Sequence, residues 1–399
     1  MKTLNPIMIS GREMLPLLEA GKGVAVSDGE SSGAWARAGG IGTVSGVNPD
    51  YLDDDGAMVM PSYKGKTRIE RHEELVAQGI RGGITQIRIA HENSGGEGRL
   101  HLNVLWEMGG SERVLNGVLE GAKGLIHGIT CGAGMPYRIA EIAAGYGVHY
   151  YPIISSARAF RALWKRAYHK FPEWLGGVVY EDPWRAGGHN GLSNSEDPKQ
   201  PEDPYPRVKA LRETMRNEGV SEDTAIVMAG GVWFLREWND WIDNPELGSI
   251  MFQFGTRPLL TQESPIPQAW KDRLMQLEPG DVLLHKFSPT GFYSSAIRNP
   301  FLRSLEARSD RQIPFSTEQA GDHTHQLDVG VKGKHFWVTL GDLTRAREWF
   351  GAGITSALNT PDNTLVFVTE AEAAERCHGW SHFPAVLRPC PCLSWLADV

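Results

Sequence analysis

A histidine set among glycines is the first chemically suggestive feature of the chain, in Arg185-Ala186-Gly187-Gly188-His189-Asn190-Gly191. Imidazole moves protons near neutral pH, and flanking glycines such as Gly188 leave room for a ligand beside the ring. His189 is therefore the candidate catalytic group. Two further glycine motifs follow it, Ala229-Gly230-Gly231 and Phe254-Gly255-Thr256-Arg257. Glycine lets backbone N–H groups approach a phosphate closely, and a helix N-terminus adds a favourable dipole. Either motif alone reads as a tight turn, but the pair reads as a phosphate site. Upstream, Gly128-Ile129-Thr130-Cys131-Gly132-Ala133-Gly134-Met135-Pro136 offers small residues across which a flat ring can lie. Cys131 within it reads as a small buried hydrophobe rather than a reactive thiol.

Metal chemistry has less support. Cys377-His378 and Cys390-Pro391-Cys392 stand close in sequence, yet Cys-x-Cys is less usual for zinc than Cys-x2-Cys. His323-Thr324-His325 with His335 forms another histidine-rich stretch, read as surface or lid histidines, and no metal is expected. Trp337, Trp349 and Trp380 read as core.

Eight β-type runs are available to position these groups: Gly23–Ser27, Ile41–Val44, His101–Trp106, Gly124–Thr130, His149–Ile154, Gly177–Tyr180, Ala225–Met228 and Ser249–Phe254. Most are short, apolar and bounded by Gly or Pro, as strands buried on both faces should be. Helical patterns at Ser111–Ala122, Pro136–Ala144, Ser156–Lys170, Arg207–Glu218 and Trp233–Ile242 alternate with them. Alternation implies parallel pairing with right-handed crossovers, and a count of eight favours a closed (β/α)8 TIM barrel over an open sheet. Every glycine motif above then falls just after a strand, where barrel enzymes place their sites, and the loops after strands seven and eight are the usual phosphate site.

The barrel is expected over 1–265, with an insert at about 48–97 holding one helix, Glu70–Gly79, and a Gly/Ser-rich loop at Asn93–Gly98. Residues 266–399 read as an additional C-terminal mixed/helical region covering the active site, with strand-like runs at Phe336–Leu340 and Thr364–Val368.

Together these motifs resemble the nitronate monooxygenases, formerly 2-nitropropane dioxygenases, a family of FMN-dependent TIM-barrel enzymes. The resemblance rests on Ala186–Gly191, on Ala229-Gly230-Gly231-Val232, and on Gln253–Arg257 with Pro258–Ser264; Arg37-Ala38-Gly39-Gly40-Ile41-Gly42 adds the family's turn into its second strand. Order and spacing agree over roughly residues 20 to 265. The resemblance implies that Gly230, Gly231, Gly255 and Thr256 hold FMN phosphate through backbone donors, with His189 beside the flavin. Gln253 and Asn103 are implied contacts with the polar edge of the ring. One departure concerns Val26-Ser27-Asp28-Gly29-Glu30-Ser31-Ser32-Gly33, which is more polar than the Pro-Met-Ala-type turn the family carries there.

The implied reaction is oxidation of alkyl nitronates by dioxygen. Alternatives are an NAD(P)H-dependent flavin enoyl-acyl-carrier-protein reductase or quinone reductase, and a non-catalytic flavin-binding or partner-binding subunit. A formal net charge of −8 gives no basic face for nucleic acid, and no apolar run reaches the roughly 20 residues of a membrane helix. No charged n-region and apolar h-region open the chain, so a cytoplasmic location is expected. The expected partners are a small-molecule substrate and dioxygen, and a homo-oligomer is compatible with the sequence.

Overall fold

Eight parallel strands close into a barrel in the computed structural model, which describes residues 2–193, 195–286, 293–329, 334–359 and 363–373. They are β1 Leu17–Glu19, β2 Ile41–Ser45, β3 Arg99–Leu105, β4 Gly128–Gly132, β5 His149–Ile154, β6 Gly177–Glu181, β7 Ala225–Ala229 and β8 Ile250–Phe254. Each pairs with its sequence neighbour, and β8 closes on β1 through Phe252–Leu17, Gln253–Leu18 and Phe254–Glu19. Strands β2, β4, β7 and β8 are buried at every position, which is why none shows the strict apolar–polar alternation of a half-exposed strand.

Helices follow the first six strands: α1 Gly29–Arg37, α2 Arg68–Asn93, α3 Ser111–Gly121, α4 Ile139–Tyr146, α5 Ala157–Arg166 and α6 Pro204–Asn217. After β7 and β8 the chain makes 3-10 turns instead, Leu235–Trp241 and Arg257–Leu260. Among the described residues no helix is long and apolar enough to cross a membrane.

Two expectations are corrected. The first barrel strand is Leu17–Glu19, and Gly23–Ser27 is a turn. Ser27 N donating to Lys22 O at 3.0 Å and Lys22 N donating to Ser27 Oγ at 2.9 Å close it on itself. The helix expected over Glu70–Gly79 runs instead through Arg68–Asn93. Its glycines are close-packing positions rather than breakers: a Cβ on Gly82 would meet Pro49 O at 2.1 Å, and one on Gly83 would meet Val118 Cγ2 at 2.5 Å. The polar stretch after Val26 is the start of α1. There the Asp28 side chain caps Ser31 N at 2.9 Å, and Ser32 Oγ donates to Thr43 O at 2.9 Å.

An N-terminal hairpin, Ile7–Ile9 with Arg12–Met14, contributes Ile9 and Met14 to the barrel's interior core beside Leu18, Ile41, Val179, Val227 and Met251. Polar groups share that interior. Ser10 Oγ bonds His101 Nε2 at 2.9 Å and Tyr151 OH at 2.8 Å, and burial holds the His101 imidazole neutral, well below its usual range. Gly128 is small because His101 fills the space where its Cβ would go, with Nε2 2.4 Å away.

The chain divides into two compact units, Met1–Ala296 and Ile297–Val399. The described part of the second is mixed. Helices α7 Pro300–Ser309 and α8 Leu340–Gly351 accompany an antiparallel sheet of Gln312–Pro314, Thr364–Val368 and Ser356–Asn359 and a hairpin of His325–Val329 with Lys334–Val338. Ile313, Phe315, Leu327, Val338 and Phe367 form its core, with the Trp349 ring tilted against Phe367 at a centroid distance of 4.9 Å. His335 Nδ1 pairs with Asp328 Oδ1 at 2.5 Å, and among the described residues no three His, Cys, Asp or Glu side chains gather as metal ligands. Cys377, His378, Trp380, Cys390 and Cys392 lie outside the described residues.

Candidate active site

The C-terminal ends of the barrel strands bring most of the candidate residues to one face. Register places Ala229 of β7 beside Gln253 of β8 on one side and Glu181 of β6 on the other. The glycines that follow β7 and β8 therefore start from adjacent strands. Gly230 and Gly231 both take left-handed backbone, φ +94° and +75°, which a side chain would strain. Gly255 has no heavy atom within 4 Å of the Cβ it lacks, so its neighbourhood is open space. Arg257 Nη1 donates to Trp233 O at 2.7 Å and ties the two loops together.

The histidine loop packs against this pair. Asp182 N donates to Ala229 O at 2.8 Å, and Asp182 Oδ1 accepts from Trp184 N at 2.9 Å and Arg185 N at 3.0 Å. That turn sets Ala186 N only 2.9 Å from the missing Cβ of Gly230, so the loops after β6 and β7 touch. Gly188–His189 then forms a short strand. It pairs antiparallel with Ser294–Ile297, His189 opposite Ser294, in a three-stranded sheet completed by Val282–His285. Neither Gly187 nor Gly188 has a neighbour within 4 Å of its missing Cβ. Half-burial lowers the His189 pKa below 6.5, leaving the imidazole neutral and able to accept a proton at neutral pH.

Asn103 and Gln253 both reach the mouth, separated around the barrel by β1 and β2. Asn103 Nδ2 donates to Thr130 Oγ1 at 3.2 Å, and the chain at Gly21 lies directly on Asn103, whose Cβ is 2.2 Å from where a Gly21 Cβ would stand. Cys131 is fully buried in the outer core, and burial pushes its thiol pKa up, as suits an inert packing residue.

Three residues at this end escape a motif reading. Glu181 ends β6, and burial first, then the neighbouring Asp182 charge, pushes its pKa up to about 8. It is thus a neutral acid near pH 7, a donor at the mouth. The only sequence signal was an acid pair, Glu181-Asp182, at a strand end just before the histidine motif. His285 arrives from beyond the barrel; burial and then the nearby His189 lower its pKa. Arg207 of α6 anchors the long loop after β6, meeting Glu196 and Glu202 at 2.7 Å each and donating to Tyr180 OH at 2.9 Å.

The Glu181 environment gives a testable linkage. Its folded pKa lies above the ordinary 4.5, so its contribution to stability is complete below pH 4.5 and is lost as pH rises through about 8. Glu181→Gln should therefore gain stability relative to the parent chain between those limits, and the gain should level off above about pH 8. Urea unfolding of both proteins across this range checks it; a pH-independent difference would contradict the assignment.

No protein-family model and no curated protein sequence matches the chain. Solved structures do. FabK from Thermotoga maritima shares 17% identity over 74% of this chain and 74% of its own, with a TM-score of 0.52. Nitroalkane oxidase from Streptomyces ansochromogenes shares 18% identity over 75% of this chain and 79% of its own, with a TM-score of 0.49. At these identities the FabK likeness establishes the fold: the chain is a (β/α)8 barrel with additional C-terminal elements.

Proposed function

We propose that the chain is an FMN-dependent oxidoreductase that oxidises alkyl nitronates with dioxygen. The observation that supports this reading most is the adjacency of Gly230-Gly231 and Gly255-Thr256 on paired strands, beside open space, with the His189 loop in contact with Gly230. Backbone N–H groups of these four residues suit a terminal phosphate. Gln253 and Asn103 offer amides to the polar edge of a ring, and Gly188 leaves room beside His189. FMN, when bound, supplies the redox chemistry, accepting electrons from the substrate carbon and passing them to dioxygen.

The protein's own part is to orient substrate and to move one proton. A neutral nitroalkane gives its α-proton to the His189 imidazole; a preformed nitronate needs only a hydrogen bond to its nitro oxygens. That difference sets the test. With a neutral nitroalkane, His189→Ala should lower oxygen consumption by about 100-fold or more, the usual worth of a general base. With the corresponding nitronate the loss should be much smaller. The parent chain's rate on the neutral substrate should also fall as pH drops below 6.5, because the His189 pKa lies beneath that value. An oxygen electrode reads all three quantities. No uptake with any nitronate would refute the reaction.

A further inference from the structure

The opposite end of the barrel carries a basic constellation of its own. Where strands β3 and β4 begin, a cavity of about 400 Å³ is lined by Arg12, His91, Gly96, Glu97, Gly98, Arg99, Gly124 and His127. These residues come from four segments: the N-terminal hairpin, the end of α2, the loop into β3 and the turn into β4. Two arginines and two histidines thus line one small space.

Their counter-charge is meagre. Glu97 is the only carboxylate in the lining; it is 82% exposed and already pairs with Arg12 at 3.5 Å. Arg99 Nε and His91 Nδ1 are shielded from solvent with no hydrogen-bond partner among the described residues. His127 Nδ1 accepts from Leu100 N at 3.2 Å, which leaves the ring proton on Nε2 as a donor. Burial and then the Arg12 charge lower the Arg99 pKa. Burial and then Arg99 bring His127 to about 4. A shielded guanidinium N–H without an acceptor, beside an arginine whose one carboxylate partner is largely exposed, is an arrangement that a bound anion relieves.

We propose that this cavity binds phosphate, free or as the phosphoryl group of a small molecule. Donors from several segments suit a tetrahedral dianion; a planar carboxylate is satisfied by a single guanidinium fork. The site lies at the N-terminal ends of the strands, away from the candidate cradle at Gly230 and Gly255, and does not depend on the flavin reading.

The test is calorimetric titration of the full chain with inorganic phosphate, with and without saturating FMN, at ionic strength matched by chloride. Acetate serves as the carboxylate control. The expected result is saturable phosphate binding, a raised melting temperature, and an affinity at least tenfold weaker in both Arg12→Gln and Arg99→Gln. Arg12 is 44% exposed on a surface hairpin, so its variant folds even should Arg99→Gln not. Phosphate binding absent, equalled by acetate, or unchanged in Arg12→Gln would overturn the proposal.

Discussion

Gly255→Val is expected to strip FMN from the chain while leaving its thermal unfolding unchanged. The missing Cβ of Gly255 meets no heavy atom within 4 Å, and the residue is not among the glycines in left-handed backbone. A valine there finds space in the protein itself, so only a ligand in that space would meet it. We expect FMN affinity to fall about 100-fold or more, about 3 kcal/mol. Gly230→Ala makes the contrast. Its Cβ would press on Ala186 N at 2.9 Å and Asp182 Cβ at 3.0 Å from a backbone at φ +94°, so it should lose both FMN and stability, the latter by about 1–3 kcal/mol. Flavin fluorescence titration and scanning calorimetry on the two variants separate the effects. Undiminished FMN affinity in Gly255→Val would move the phosphate away from the ends of β7 and β8.

Arg212→Leu is the second large effect, this time on folding. Arg212 is completely buried, and its guanidinium donates to Leu247 O at 2.6 Å, Ser249 O at 2.9 Å and Thr224 O at 3.0 Å. One side chain of α6 thus satisfies three carbonyls in the segments that lead into β7 and β8. Leucine would leave the buried Leu247 carbonyl and the half-buried Thr224 and Ser249 carbonyls without these donors. The expected loss is about 3–5 kcal/mol, read by urea denaturation. Arg212→Lys should recover only part of it, since an ammonium lacks the planar fork that reaches three acceptors at once. Because these segments lead into the strands whose far ends carry the proposed phosphate loops, FMN affinity is expected to weaken alongside stability. A leucine variant as stable as the parent would show that the carbonyls find other donors.

Much of this architecture is legible from local pattern. Strands such as Ala225–Ala229 and Ile250–Phe254 announce themselves because both faces are covered, which leaves an apolar run broken only by Gln253. The glycine motifs are legible for a similar reason, since backbone approach to a ligand is a local demand on residue type. Distant packing hid other features. Leu17–Glu19 follows Pro16 and ends in an acid, and Glu19 tolerates burial because Lys22 Nζ sits 2.9 Å from it; the apolar turn after Gly23 looks more like a strand. The helix read as ending at Gly79 continues through Gly82 and Gly83, glycines that make room for Pro49 and Val118. Arg212 reads as one more charge on a surface helix.

The site divides along the same line. His189 and its glycines are contiguous in sequence, whereas the raised pKa of Glu181 depends on the strands around it, and His285 arrives across a second sheet. The basic cavity is the extreme case: Arg12, His91, Arg99 and His127 are scattered in sequence and converge only when the barrel closes.

The measurement that tests the central claim most directly is an absorbance spectrum of the purified chain reconstituted with FMN, followed by anaerobic additions of NADPH and then a nitronate. The account predicts protein-bound flavin bands that persist with NADPH and bleach with the nitronate. Bleaching by NADPH would make the chain a reductase, and the absence of bound flavin after reconstitution would contradict the account at its root.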